Sequence, residues 1–424
     1  MIKILQVRNI DNFVESRRQK TSEKDRKTVQ AILNDVRKNG DSAVKKYERK
    51  LNERKTSQLS VSQKEIKEAR SKISRDEWEA LDEMRLRLRI HELGVIGSTP
   101  MTWNDSQMWG YQKFIPIPSV GCYIPGGQER YPSSAVMSIT PAKYVGVKRI
   151  VVVSPPGRDG KIDPLTIVAA MMCGATEIYK VGGAQAIGAL AYGTKSISKV
   201  DKIVGPGGKF VSIAKSLGSD QTAIDMVAGP TELGIIADES SDPKLVALDL
   251  ISQAEHSKDT MCFVITQSKT VAKQIQKSIE KIIPGTERSS IIEGSISKNG
   301  FIAVCKNENE VVELANKIAP EHLELMVKNA KSLSRKLTGA GLVLVGKNTP
   351  SAASDYLLGT NHILPTSGFG RTRGGLSALD FVKLQTVIES KSPNEPRKRS
   401  KLLKALTDAE DLPNHYKAVK RRLN

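Results

Sequence analysis

From residue 115 onward, short apolar runs alternate with helix-forming stretches, and Gly or Pro stands at nearly every junction. RIVVVSPP (149–156) is a near-continuous apolar run closed by two prolines. Asp163-Pro164 then sets a capping carboxylate before a proline at the first helical position, opening LTIVAAMMC, which Gly174 stops. EIYKVGG (177–183), GAQAIGALAYG (183–193) and KIVGPGG (202–208) repeat the cycle. It resumes after residue 230: LGIIAD (233–238), a helix KLVALDLISQAEH opened by Asp242-Pro243, then MCFVITQ (261–267), FIAVC (301–305), the helix NENEVVELANKI (307–318) and GLVLVG (341–346). Strand, helix and strand at this spacing mean βαβ units around a parallel sheet. An α/β fold class is expected, as two units with a boundary near 230.

Residues 1–110 read as helical and charged, and the tail 380–424 as one or two helices without a strand. No repeat of 20–50 residues is visible. Aromatic residues make up only 4% of the chain, so the cores must be aliphatic. No apolar stretch approaches the ~20 residues of a membrane span. MIKILQVRNIDNF lacks a signal-peptide h-region, because Arg8 and Asp11 interrupt it. A cytoplasmic protein without a membrane partner is expected. Cys122, Cys173, Cys262 and Cys305 form no C-x-x-C pair, which argues against a disulfide framework or a thiolate zinc site. They read as small core residues, with Cys122 set apart by the glycine-rich loop beside it. The net charge of +19 would suit nucleic acid, but Lys and Arg are interleaved with Glu and Asp through RKNGDSAVKKYERKLNERK, and the densest basic run, RKRSKLLK (397–404), has no aromatic interleaving. No nucleic-acid partner is expected.

The chain has five histidines, and four fall in short polar motifs. His256 closes QAEH, His322 closes PEH, His362 closes GTNH seven residues after Asp355, and His415 follows Glu410 by five; His91 stands apart. Imidazole is both the commonest metal ligand and the side chain that titrates nearest neutrality. Gln253 and His256, three apart near a helix end, face one way and could serve one ion. Asp355 and His362 close a loop and could supply a hard and a borderline ligand together. Glu321 beside His322 suits general acid–base work. Three glycine turns, YIPGG (123–127), VGGAQ (181–185) and GPGG (205–208), sit at strand ends, where glycine lets backbone approach phosphate and where open α/β sheets bind ligands. Taken singly, each motif also has a plain reading: a turn glycine, a histidine at a helix dipole, a glutamate in a first helical turn. No G-x-G-x-x-G follows a strand, and GFGRTRGG (368–375) has no strand before it.

QAEH, PEHLEL (320–325), SDYLLGTNHILPT (354–366), VGCYIPGG, VGGAQAIGALAYGT, AIDMVAGPTE (223–232) and AEDLPNHYKAV (409–419) occur in one order. In that order the chain, from about residue 30 to 420, resembles histidinol dehydrogenases. The resemblance implies two Rossmann-like units, incomplete and doubly wound, with a helical N-terminal segment (1–30) and a helical tail (380–424) docking on a partner subunit. It implies a catalytic zinc domain from 31–114 and 231–379, and an NAD-binding domain from 115–230. It also implies oxidation of L-histidinol to L-histidine through L-histidinal with two NAD+, in a homodimer with one zinc per subunit.

By motif, the implied zinc ligands are Gln253, His256 and Asp355, with His415 from the partner. His322 is implied as the base for the alcohol and Glu321 as the base for water. Ser133, Thr231, His362 and Glu410 match substrate-contacting positions, and His322 and the zinc ligands also border the substrate. Tyr123 and Gln185 match NAD-contacting positions. Three positions depart from the family's pattern: Gly208 replaces an Asn that contacts NAD, Thr231 replaces a Ser, and Val227 replaces a Pro.

Overall fold

The computed structural model describes residues 1–17, 22–52, 58–97, 102–104, 108–127, 130–226, 229–391 and 394–422, so Val227 lies outside the described residues. In chain order the first elements are β1 (Lys3–Gln6), α1 (Ile10–Glu15), α2 (Glu23–Asn39), α3 (Asp41–Asn52), α4 (Gln63–Arg70), α5 (Arg75–Ile96), β2 (Thr102–Asn104) and β3 (Met108–Pro116). Next come β4 (Ser119–Tyr123), α6 (Pro132–Tyr144), β5 (Arg149–Ser154), α7 (Pro164–Cys173), β6 (Glu177–Lys180), α8 (Gly183–Tyr192), β7 (Lys202–Val204), α9 (Lys209–Gly218) and β8 (Ala223–Ile224). Then follow β9 (Glu232–Ala237), α10 (Pro243–Ala254), β10 (Met261–Thr266), α11 (Lys269–Ile282), α12 (Ser289–Lys298), β11 (Phe301–Val304), α13 (Glu308–Ile318), β12 (His322–Met326), α14 (Ala330–Ser334), β13 (Leu342–Val345) and α15 (Ser351–Ser354). The last are β14 (Val382–Ser390), α16 (Asn394–Ala409) and α17 (Pro413–Lys420).

Two compact units result, one from Met1–Val95 with Ile117–Phe381, the other from Ile96–Pro116 with Val382–Asn424. The first unit holds two parallel sheets, ordered β6-β5-β4-β7-β8 and β1-β11-β10-β9-β12-β13. In each the order reverses once, between β4 and β7 and between β9 and β12, which makes both sheets doubly wound. Most of their strands are largely apolar and buried because helices cover both faces. Along β4 and β5, Val120, Cys122, Ile150 and Val152 pack against α6 and α7, while Tyr123, Val151 and Val153 pack toward α2, α8 and α9. The other sheet divides likewise: Leu233, Ile235 and Val264 face α10 to α12, and Phe263, Leu323 and Leu325 face α13 and α14. All four cysteines are free and buried, as expected of core residues.

The domain grouping differs from the expected one. Within 31–114, α2 and α3 pack on α8 and α9, and α4 packs on α7. These helices therefore belong with the 115–230 sheet, not with 231–379, because their apolar stripes (Val29, Leu33, Val36, Val44) complete its core. Several strands are also absent from the sequence reading, β1 and β14 among them. β1 joins the six-stranded sheet by pairing with β11, some 300 residues away in the chain. β14 lies in the tail expected to be strandless; it pairs antiparallel with β3 along its whole length, from Val382 opposite Pro116 to Ser390 opposite Met108. Its residues are mostly exposed on both faces, so no alternation marks it. With β2 it forms the second unit's sheet, ordered β14-β3-β2, and α16 packs on α17 in the same unit. Among the described residues no helix is long and apolar enough to cross a membrane.

Candidate active site

A cavity of about 280 Å³ opens within the first unit. One side is built from the carboxyl ends of the five-stranded sheet, through Pro125 after β4 and Pro206–Gly208 after β7, on either side of that sheet's switch point. The other side comes from the amino ends of the six-stranded sheet: Thr231 before β9, and Glu321 with His322 at the start of β12. The cavity thus lies at carboxyl strand ends for one sheet only. The second sheet contributes amino ends because the link from α13 is short; Ala319 turns it with a positive φ of 52°, and Pro320 leads Glu321 directly into β12. The carboxyl end of α10 carries Gln253, with His256 just beyond it, where the helix dipole favours positive charge.

A chain of hydrogen bonds orders the polar wall. Gln253 Nε2 donates to Thr231 Oγ1 at 2.7 Å, and Thr231 Oγ1 donates to Glu321 Oε2 at 2.5 Å. The Glu232 amide donates to the same carboxylate oxygen at 3.0 Å. Glu232, itself buried, accepts from the amides of Ser367 (3.0 Å) and Glu321 (3.3 Å). His322 is buried, and neither ring nitrogen makes a well-formed hydrogen bond. Its Nε2 stands 3.5 Å from Asp355 Oδ1 and its Nδ1 3.9 Å from Glu321 Oε2. The loop 355–362 is closed by His362 Nδ1, which lies 2.9 Å from the Asp355 carbonyl oxygen, while His362 Nε2 is 3.4 Å from Ser134 Oγ. Asp355 and His362 do close their loop, though the histidine grips backbone there.

Burial dominates the titration of this cluster, and neighbours correct it. Burial raises Glu321 above the usual carboxylate range, against the pull of His322. It raises Glu232 to about 8, with the charge of Glu321 adding to the effect. For His322 burial acts downward, but Asp355 and Glu321 outweigh it and lift the imidazole to about 9. Burial would raise Asp355, yet His322 and the nearby imidazoles hold it below its ordinary value. His362 is lowered by burial.

Gln253, His256, Asp355, Glu321, His322, His362, Thr231, Ser133 and Gly208 all line the cavity. Glu410 follows α16 and His415 lies on α17, both exposed in the second unit. Among the described residues no three His, Cys, Asp or Glu side chains gather to hold a metal. The first unit instead offers a mixed donor set. His256 Nδ1 lies 3.1 Å from the Gln253 carbonyl; donating there leaves Nε2 bare, which is how ligating imidazoles are commonly oriented. Gln253 Nε2 is engaged with Thr231, which leaves its Oε1 as the donor atom, and Asp355 is ionised. This set fits a zinc-like ion with places left for further ligands.

Tyr123 and Gln185 are not among the lining residues. Both are buried; Tyr123 Oη accepts from the Gly183 amide at 3.2 Å, and Gln185 Nε2 donates to Glu48 Oε1 at 2.8 Å. The Gly182 amide also donates to Glu48, at 2.9 Å. Of the three glycine turns, VGGAQ is therefore capped internally by a carboxylate, and only the other two reach the cavity. Sequence reasoning missed Ser134, Glu232 and Thr366. Glu232 stood in the quoted AIDMVAGPTE motif, but only the fold sets it against Glu321.

Strand-end glycine turns facing a buried Glu–His pair and a metal-compatible donor set, on doubly wound sheets, define an α/β dehydrogenase. The family model of histidinol dehydrogenase matches residues 15–423. Histidinol dehydrogenase of Methanococcus maripaludis is 42% identical over 399 residues, covering 94% of this chain and 93% of its own; that of Bacillus subtilis is 38% identical over 402 residues, covering 95% and 94%. The crystal structure of histidinol dehydrogenase from Elizabethkingia anophelis superposes with a TM-score of 0.93 at 30% identity, covering 100% of this chain and 98% of that one. The chain belongs to the histidinol dehydrogenase family, whose members are NAD-dependent oxidoreductases.

Proposed function

We propose that this chain oxidises L-histidinol to L-histidine through L-histidinal as a zinc-dependent homodimer. The observation that carries the reading is the buried Glu321–His322 pair, whose members are adjacent but differently held. In the first oxidation His322 takes the hydroxyl proton as hydride leaves the carbinol carbon. In the next step Glu321 takes a proton from water while the water oxygen bonds to the aldehyde carbon, forming the hydrate. A second loss of hydride and proton from the hydrate gives the acid. NAD+ held at the Pro206–Gly208 turn would supply the acceptor for each hydride. A zinc ion on Gln253, His256, Asp355 and the partner subunit's His415 would hold the substrate's imidazole and amino groups. Asp355 and Glu321 together lift His322 to about 9 against its burial, and Asp355 would be drawn from that role if it held a cation. Ser133, Thr231, His362 and Glu410 complete the substrate contacts.

The second unit supports a partner chain: Leu384, Ile388, Leu402 and Leu406 are large, apolar and exposed. The test is NADH formation from L-histidinol. Two NADH per histidinol are expected, abolished by a chelator and restored by zinc. Turnover undiminished in metal-free protein, or no NADH from histidinol, would sink the reading.

A further inference from the structure

Lys215 is among the largest fully buried side chains of the described residues and has no part in the chemistry above. It lies on α9, two turns beyond Gly208, the residue that caps that helix. An ammonium group 2% exposed costs several kcal/mol in desolvation unless it is paired and hydrogen bonded. Here it is both. Its Nζ is in ion-pair contact with Asp225 Oδ1, also buried, and donates to the Gly205 carbonyl at 2.9 Å. From the other side, Asp225 Oδ2 accepts from the Gly205 amide at 2.8 Å, and Oδ1 accepts from the Met226 amide at 2.5 Å. Both polar groups of Gly205 are therefore held by one buried ion pair. Gly205 itself has no freedom to spare: its φ is +111°, and a Cβ there would lie 2.2 Å from the Tyr123 carbonyl oxygen.

We infer that Lys215 and Asp225 are positioning residues for the cofactor, setting the Gly205–Gly208 turn at the switch point of the five-stranded sheet. The turn begins at the clamped Gly205, and its next three residues line the cavity. Asp225 also ties this turn to Met226 through that residue's amide, and its carbonyl accepts from Arg373. The inference rests on the reading that this turn contacts NAD.

The double variant Lys215→Met/Asp225→Leu separates positioning from stability. Replacing a buried ion pair by apolar residues commonly leaves a fold as stable or more so. NAD+ binding, measured by calorimetry on the full chain below its unfolding temperature, is expected to weaken roughly tenfold, with zinc content and histidinol affinity within about twofold of the parent. Lys215→Met alone frees the Gly205 carbonyl and leaves Asp225 buried without its cation, so it should lower thermal stability as well as NAD+ binding; measured below its unfolding temperature, it decides the matter if the double variant does not fold. Gly208→Asp is the control, because a Cβ at Gly208 meets nothing within 4 Å and the added carboxylate would repel the cofactor's phosphates. If Gly208→Asp weakens NAD+ binding while both Lys215 variants bind as the parent does, the positioning role is overturned. If Gly208→Asp also leaves binding unchanged, the turn is not a cofactor contact, and the role falls with that reading.

Discussion

Glu321 and His322 are neighbours in the chain, yet hydrogen bonding sets them to different work. Glu321 receives a hydroxyl and an amide on one oxygen, whereas His322 has only the looser contacts to Asp355 and Glu321. Glu321→Gln should therefore release about one NADH rapidly and then stall, and His322→Asn should slow the first oxidation while sparing oxidation of supplied aldehyde. Losses of roughly 10²–10⁴-fold are typical of a removed general base; stopped-flow traces with equal damage to both half-reactions would refute this division. Glu232 makes a pH prediction. Its folded value of about 8 lies above that of an unfolded glutamate near ~4.3. Between those values the folded chain keeps a proton that the unfolded chain has released, so this group's contribution to stability falls as pH rises, by up to about 1.4 kcal/mol per pH unit. Thermal unfolding at pH 5.5 and pH 8 should show Glu232→Gln gaining on the parent at the higher pH. An identical difference at both would mean that Glu232 is ionised in the fold.

At the scale of elements, β9 does two things at once. Its amino end places Thr231 on the cavity and Glu232 behind it against Glu321, and its middle carries Gly234, where a Cβ would lie 2.5 Å from Phe263 Cζ and 3.2 Å from Leu323 Cδ1. Phe263 is locked by stacking on Phe301, with ring centroids 4.9 Å apart. Gly234→Ala should cost about 1–3 kcal/mol, the usual range for an overfilled core. Urea unfolding measures that loss, and the histidinol KM of the folded variant should stay close to the parent's because the strand's end is not displaced. Parent-like stability would show that the stacked pair yields more easily than the packing implies. α10 is similarly divided: Asp242 caps its start through the Lys244 amide at 2.8 Å, and its far end carries Gln253 toward the cavity.

At the scale of the whole molecule, the first unit supplies three proposed metal donors and the second carries Glu410 and His415. If each site is completed by the partner's tail, His256→Ala and His415→Ala chains are each inactive alone. Mixed under conditions that allow subunit exchange, they should regain part of the activity. Both lesions then fall in one site of the heterodimer and leave the other intact. A fully active monomer, seen by light scattering at assay concentration, would rule this out.

Local chemistry alone determined much of this protein. The Asp-Pro starts at 163–164 and 242–243, the Gly174 stop and the apolar runs at 149–154 and 233–237 specified helices and strands that the fold contains. The polar motifs themselves marked the histidines and carboxylates, and the resemblance supplied the roles proposed for them. Tertiary structure decided what depends on distant partners. β1 is a strand only because β11 is there to pair with it, and β14 only because β3 is. The helices of 31–96 joined the sheet whose core needed their apolar faces. Whether a glycine turn faces a ligand or an internal carboxylate depended on Glu48, more than 130 residues from the turn it caps. Burial, which moves Glu232 to about 8 and traps Lys215 against Asp225, is a property of the packed molecule that no stretch of sequence carries.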